Sequence, residues 1–429
     1  MRVTQRRSAN GPWRSPLRGP WLTSVFGLVL LAGVPLLFVT GLLSYAAYNP
    51  GLSPVNDKTP DKGLLGFYLF AWPTHPYWLY RVNQGVHVTL GVVLVPVLLA
   101  KLWSVVPKLF VFPPVRSAAQ ALERLSLLLL VGGGLFEFLT GLLNIQLDYV
   151  FPGSFYPLHF YGAWVFFGAL LAHVALRLPL VLRSLRSRDF RAELRTPTAR
   201  TRPEPADGSG LVSSHPAQPT MSRRGALGMV GLGSVTLFAV TAGQSLGGPL
   251  RETALLAPHG RNPGSGPNGF PINKTAALAR IRPEDVGADW RLVVRGGGRQ
   301  TTLTLPQLHR LARHRSTLPI ACVEGWSTEN QEWEGVRLLD LAKLVGYGDR
   351  PPGVFVESVQ LAGSFRAVAL RDNQVRDPRS LLALRVNGAA LSHDHGYPAR
   401  VIVPAAPGVM NTKWVGRLSF GATTFTRPA

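Results

Sequence analysis

Five long apolar runs constrain this chain more than any other feature. They cover about 21–48, 77–103, 119–143, 158–182 and 225–246. At about 1.5 Å of rise per residue, a helix over each can cross a hydrocarbon core of about 30 Å. Residues 251–429 lack such runs and are numerous enough for a core of their own. The expected fold class is therefore multidomain. An all-α transmembrane bundle of four helices plus a fifth anchor precedes an α+β, β-rich domain.

The formal net charge of +22 divides unevenly. Residues 251–429 hold 23 Lys/Arg against 14 Asp/Glu, and the rest of the chain 22 against 9. Much of the excess is arginine in alternate connections between the apolar runs. Residues 1–20 carry Arg2, Arg6, Arg7, Arg14 and Arg18 and no acid. Lys101, Lys108 and Arg116 follow the second run, and nine arginines stand in 183–224 against Asp189, Glu193, Glu204 and Asp207. The loops 49–76 and 144–157 show no such bias. This is the positive-inside pattern, with inner membrane lipid as the implied surroundings and 183–224 read as a disordered cytoplasmic linker. No interleaved basic–aromatic stripe accompanies the charge, so a nucleic-acid partner is not expected.

The fifth run is preceded by Ser222-Arg223-Arg224-Gly225-Ala226-Leu227. The pair resembles a twin-arginine export signal, with Ala226 where phenylalanine is more usual. Two further positive-inside arginines are the alternative. The export reading puts everything after the run outside the cytoplasmic membrane, folded around a cofactor before it crosses. The expected divisions are a cytoplasmic tail (1–20), a transmembrane domain (21–182), a cytoplasmic linker (183–221), a signal or anchor (222–248) and an extracytoplasmic domain (249–429).

Ionisable residues inside spans are costly and mark function. His87 lies in the second run and His159 and His173 in the fourth, with His75 at the outer mouth of the second. Fourteen residues separate His159 from His173, about four helical turns and about 21 Å, so both face nearly the same way. Stacked haems need that arrangement. Gly85, Gly91, Gly162 and Gly168 would let a flat macrocycle approach. Residues 20–185 thus resemble the membrane cytochrome b family of bacterial respiratory enzymes, which includes haem subunits of formate dehydrogenases and hydrogenases. The resemblance implies haem b, one or two, and exchange with quinone or quinol. In that family the first span often supplies a ligand, and here 21–48 contain no histidine. His87 pairs with His159 or with His173, the latter leaving His75 for His159.

The only cysteine stands in Pro319-Ile320-Ala321-Cys322-Val323-Glu324-Gly325-Trp326-Ser327. A lone cysteine forms no intrachain disulfide. It is a buried apolar residue, a nucleophile or a metal ligand. Around it, strand-like runs at Trp290–Val294, Gly353–Val359 and Arg400–Val403 alternate with short helical segments near Pro306–Arg313 and Leu338–Val345. Gly296-Gly297-Gly298 reads as a turn. Farther on stands His393-Asp394-His395-Gly396-Tyr397-Pro398-Ala399-Arg400, followed by Asn411-Thr412-Lys413-Trp414. An arginine and a lysine beside glycines suit an anionic ligand such as phosphate. Two histidines with no third ligand nearby are a weak metal signal.

Together these segments resemble the sulfite-oxidase superfamily of molybdenum enzymes over about 265–425. The resemblance implies that Cys322 binds molybdenum beside one molybdopterin. It further implies that Arg400 and Lys413 meet the cofactor phosphate, and that His395, Asn411, Thr412, Ser358 and Asn273 line its pocket. The run at Cys322 is closer to the periplasmic methionine-sulfoxide reductase branch. Sulfite oxidisers usually carry arginines soon after the cysteine, whereas Glu324, Glu329 and Glu332 follow here and would repel sulfite. Trp326 and Trp333 suit a neutral substrate. Cys322, Trp326 and Ser327 are the candidate catalytic residues. Soon after Trp414 the sequence stops, so the dimerisation domain of sulfite oxidases is not expected and a monomeric molybdenum domain is. The expected activity is oxygen-atom transfer from a small or protein-bound oxide, with electrons from quinol through haem. Sulfite-type oxidation feeding quinone is the first alternative, and a non-catalytic electron carrier the second.

Overall fold

The computed structural model describes residues 13–52, 70–109, 118–145, 155–205, 210–259 and 263–421. Arg2, Arg6, Arg7, Arg116 and Asp207 lie outside the described residues, as do parts of the two expected outer loops. Among the described residues, five helical stretches are long and apolar enough to cross a membrane. The first is α1 (Pro20–Leu52); α2 (Leu79–Val93) and α3 (Val95–Leu109) share the second. Then come α4 (Ala118–Asn144), α5 (Tyr156–Arg186), a short α6 (Phe190–Arg195), and α7 (Arg223–Ala239) running toward α8 (Gly243–Leu246). The lapse between α2 and α3 sits two residues before Pro96, whose ring crowds the preceding turn. Helical bonding nevertheless persists through it, Leu98 N donating to the Leu94 carbonyl at 2.9 Å. Leu28, Leu128, Leu171 and Leu232 are exposed on their helices. Helices apolar all round are what lipid, rather than water, would solvate.

The chain divides into two compact units. The first comprises Met1–Phe38, Leu90–Gly141 and Leu158–Phe238, with Trp21, Leu22, Phe26, Leu94, Val97 and Ala226 at its core. Its arginine-rich segment, expected to be disordered, is folded where it is described. The reason lies in its acids. Asp189 caps α6 by accepting from Ala192 N at 2.7 Å. Glu193 accepts from Arg188 and, at 3.0 Å, from Arg223, which is almost fully buried. Glu204 accepts from Trp21 N at 3.0 Å, capping α1. Arg223, the first of the twin arginines, is thus an internal ion-pair partner in this fold.

The second unit comprises Val39–Thr89, Leu142–Pro157 and Ala239–Ala429. Its C-terminal part runs β1 (Arg291–Gly296), β2 (Arg299–Thr304), α9 (Leu305–Leu311), β3 (His314–Leu318), β4 (Gln331–Arg337), α10 (Leu338–Leu344), β5 (Val354–Ser358), β6 (Ala367–Leu370), α11 (Asp372–Arg376), β7 (Leu381–Val386), β8 (Ala389–Ala390), β9 (Arg400–Ile402) and β10 (Val415–Phe420). One sheet has the order β2-β1-β10-β5-β6 and the other β3-β4-β7-β8, with β9 also on β7. Among the described strands only β1 and β10 pair in parallel, so this is α+β and not doubly wound. The glycine triplet is the turn its composition requires: Gly297 and Gly298 have φ of 54° and 72°, joining β1 to β2 as a two-residue hairpin. Leu292, Val336, Val356, Leu382, Val401 and Leu418 build a core shared by both sheets, joined by Tyr48 and Leu52 from the end of α1.

Candidate active site around Cys322

β3 ends at Leu318, and the chain then folds back on itself. Cys322 N donates to the Trp326 carbonyl at 2.8 Å, and Thr328 N to the Ile320 carbonyl at 2.8 Å. Gly325, at φ +91°, closes the turn where a Cβ would meet Val88 at 2.6 Å. Several neighbours within the unit hold the loop. Gly408 N donates to the Ala321 carbonyl at 2.6 Å, Gln84 bonds the Val323 carbonyl, and Ser245 Oγ bonds that of Gly325. Ser327 is buried, and its hydroxyl donates to the Ser245 carbonyl at 2.9 Å. That bond ties the loop to α8.

Cys322 is buried, its Sγ 3.6 Å from Glu324 Oε2. The same carboxylate oxygen accepts from Trp326 Nε1 at 2.7 Å and faces His259 Nε2 at 2.5 Å. Burial first, and then the nearby Glu324 charge, push the Cys322 thiol pKa well above its ordinary value. An unaided thiolate is therefore disfavoured here, which suits a group that ionises only against a cation. His259 had no sequence signal. It sits 65 positions before Glu324 in a proline- and glycine-rich lead-in, and only the fold brings the two together.

The second half of the site is a pair of cations, Arg400 and Lys413, whose described hydrogen bonds all go to backbone carbonyls. Arg400 donates to the carbonyls of His395 at 3.1 Å and Asn411 at 3.2 Å, and its guanidinium lies 5.3 Å from the Trp333 ring centroid. Lys413 Nζ donates to the carbonyls of Lys274 and, at 2.9 Å, Asp394. Gly396, at φ +105°, lets these two side chains approach, since a Cβ there would stand 3.0 Å from the Lys413 Cβ. Burial brings the Arg400 pKa down to about 9. Burial, then Arg400 and Lys274, hold the Lys413 ammonium well below its ordinary value, while Asp394 and then Cys322 act the other way. Arg400 Nε, Asn411 Nδ2 and Thr412 Oγ1 are buried with no hydrogen-bond partner. Buried donors are expensive to leave unmade. A phosphate-bearing, acceptor-rich cofactor fits this set: it supplies the missing acceptors and neutralises the two cations.

His395 stacks on Phe270 at 3.8 Å and its Nε2 lies 2.8 Å from the Asn268 carbonyl. Ser358 ends β5 opposite Val415, with its Oγ accepting from Gln360 N at 3.2 Å. Asn273 adjoins Lys274, whose carbonyl receives Lys413. No group of three or more metal-ligating residues occurs among the described residues, so His393 and His395 do not form a conventional metal cluster.

His395 also gives a pH prediction. Burial, followed by Arg400, lowers its pKa from 6.5 to about 4. Between those values the unfolded chain binds a proton that the folded one excludes, so stability falls as pH drops. The melting temperature of the cofactor-free full chain in detergent is expected to decline from about pH 6.5 to about 4. His395→Gln should flatten that decline.

The membrane-type helices hold the other candidates. His87 Nδ1 lies 3.0 Å from Thr40 Oγ1. His159 Nδ1 lies 2.9 Å from Thr140 Oγ1 and 3.1 Å from Glu137 Oε2. His173 is half-buried on α5. His75 is separate from these. Its side chain is 71% exposed, bonded to Arg379 at 2.8 Å and 3.7 Å from Asp377.

Residues 279–428 match a family model described as "Oxidoreductase molybdopterin binding domain". The mitochondrial sulfite oxidase of Drosophila melanogaster is 32% identical over 35% of this chain and 29% of that protein. The "Uncharacterized oxidoreductase YuiH" of Bacillus subtilis is 30% identical over 35% of this chain and 73% of its own length. The solved sulfane dehydrogenase SoxCD from Paracoccus pantotrophus is 29% identical over 31% of this chain and 38% of that one, with a TM-score of 0.28. The chain thus spans less than a third of the mitochondrial sulfite oxidases it matches.

Proposed function

Because the chain belongs, through residues 279–428, to the molybdopterin-binding oxidoreductases of the sulfite oxidase type, we propose that it is a membrane-anchored enzyme removing oxygen from a neutral S-oxide or similar donor outside the cytoplasmic membrane, with quinol as reductant and haem b as relay. The observation that carries the substrate class is Glu324. Its carboxylate lies 3.6 Å from Cys322 Sγ and is held there by Trp326 and His259. A fixed carboxylate beside the reacting position disfavours an oxyanion such as sulfite and tolerates a neutral sulfoxide.

When bound, the molybdenum cofactor supplies two-electron oxygen-atom exchange. Cys322 anchors the metal through its thiolate; Arg400, Lys413, Asn411 and Thr412 hold the pterin phosphate, with His395, Ser358 and Asn273 lining the pocket. Trp326 holds Glu324 through its Nε1 and packs edge-on against His259, and Ser327 fixes the loop to α8. His259 Nε2 and Glu324 Oε2 are hydrogen-bonded at 2.5 Å beside Cys322. Overall the S–O bond breaks, and two electrons from the quinol reduce the sulfur. The oxygen departs as water with the two quinol protons. The haem ligands are drawn from His87, His159 and His173, with His75 at the rim. Gly41 and Gly141 let the first two imidazoles pack against the neighbouring helix, since a Cβ would lie 3.1 and 3.3 Å from Cε1.

The expected result is reoxidation of quinol-reduced haem by a panel of S- and N-oxides, in samples whose molybdenum is quantified. Haem reduction by sulfite, with no reoxidation by any oxide, would overturn it. That second reading has one observation in its favour: several relatives are named sulfite oxidase.

A further inference from the structure

The hairpin of α1 with α2–α3 and the hairpin of α4 with α5 repeat one another. Phe38-Val39-Thr40-Gly41-Leu42-Leu43 recurs one hundred residues later as Phe138-Leu139-Thr140-Gly141-Leu142-Leu143, and Gly33 as Gly133. On the return helices the shift is seventy-two. His87 becomes His159, and Leu98-Leu99-Ala100-Lys101 becomes Leu170-Leu171-Ala172-His173. Short matches between apolar helices arise easily, but here the contacts follow the same two shifts. Thr40 meets His87 Nδ1 at 3.0 Å, and Thr140 meets His159 Nδ1 at 2.9 Å. Gly41 faces the Cε1 of His87 as Gly141 faces that of His159. Gly33 lies against Leu94, and Gly133 against Phe166, its counterpart.

The correspondence breaks at one functional position. His173 is matched by Lys101, whose Nζ donates to the Thr23 carbonyl at 2.7 Å and lies against Gly27. A second difference is milder: Glu137, beside His159, is matched by Leu37.

We propose that α1–α5 are a tandem duplication of one haem-binding hairpin, with Thr40 and Thr140 as positioning residues for the imidazoles of His87 and His159, and that Lys101 withholds from the first copy the imidazole that His173 gives the second, leaving the chain one haem. The proposal rests on the haem reading above. In a duplicated hairpin, ligands come in equivalent pairs. The first position offers imidazole twice, and the second an amine and an imidazole. Holding Nδ1 on a threonine hydroxyl fixes ring rotation and makes Nε2 the ligating nitrogen, the usual outer-shell device of a metal-bound histidine.

The test uses the full chain purified in detergent, with haem measured as its pyridine haemochrome against polypeptide by amino-acid analysis. One haem per chain and one low-spin ferric species in electron paramagnetic resonance are expected. Two haems with two bis-imidazole species would overturn the limit while leaving the haem reading intact. A haem-free protein would overturn both. Thr140→Val and Thr40→Val are expected to weaken haem retention by about 10-fold or more and to shift the midpoint potential. Thr140→Ser and Thr40→Ser should restore both readouts. Valine variants with unchanged retention and potential would refute the positioning role.

Discussion

Cys322→Ala is expected to leave the haem spectrum intact and to reduce molybdenum content and oxide-dependent haem reoxidation to background. No other cysteine exists in the chain to replace the lost thiolate. The loss should exceed the about 10–100-fold that removal of an outer-shell partner costs at a metal site. Folding is not expected to suffer in proportion. The thiol itself contributes one long contact, 3.6 Å to Glu324, while the loop is held by backbone bonds from Cys322 N, Thr328 N and Gly408 N that alanine keeps. Removing a neighbour of the half-buried Glu324 carboxylate, which Trp326 and His259 still satisfy, is a small perturbation. Metal analysis with optical titration of the same sample decides the outcome. A Cys322→Ala protein that keeps its molybdenum and its full rate would return the cysteine to the role of a buried apolar residue.

The residues most readable from sequence were those whose chemistry is rare or contiguous. Cys322 stood out because it is unique. Arg400 and Lys413 stood out because glycine, proline and amide residues surround two bases in one short stretch, and the fold does bury both. The five long apolar helices were readable from hydropathy, and the β1–β2 turn from its glycines. What escaped depends on distant partners. Glu324 read only as a repelling charge, because nothing in the local sequence shows that His259 would lie against it. Ser327 read as a reactive candidate, whereas its hydroxyl is spent on Ser245. The 183–224 segment has a disordered composition, yet Glu193 and Glu204 pair with Arg223 and the start of α1 across many residues. Composition counts charges but does not show which of them meet.

Lys413→Met and Arg400→Met are expected to act in opposite directions on the cofactor-free and cofactor-loaded protein. Both wild-type cations are buried, and both donate to backbone carbonyls rather than carboxylates. Arg400 Nε makes no bond at all. Two like charges held close together in a poorly solvated place are a cost of the empty fold, which is why burial lowers both pKa values. A phosphate turns that cost into charge-assisted bonds, each contributing about 1.5–3 kcal/mol. Losing one such bond corresponds to roughly 10–100-fold weaker cofactor retention. Methionine keeps most of the apolar stem, so the empty variants should melt at or above the wild-type temperature, and the loaded variants below it. The gain in melting temperature on loading should therefore shrink in each variant, since a ligand stabilises only as far as it prefers the folded state. Melting curves of matched protein from cells with and without pterin synthesis, with molybdenum and phosphate assayed, test both signs. Equal destabilisation of the empty and loaded forms would make Arg400 and Lys413 structural residues, and the anion would then have to sit elsewhere.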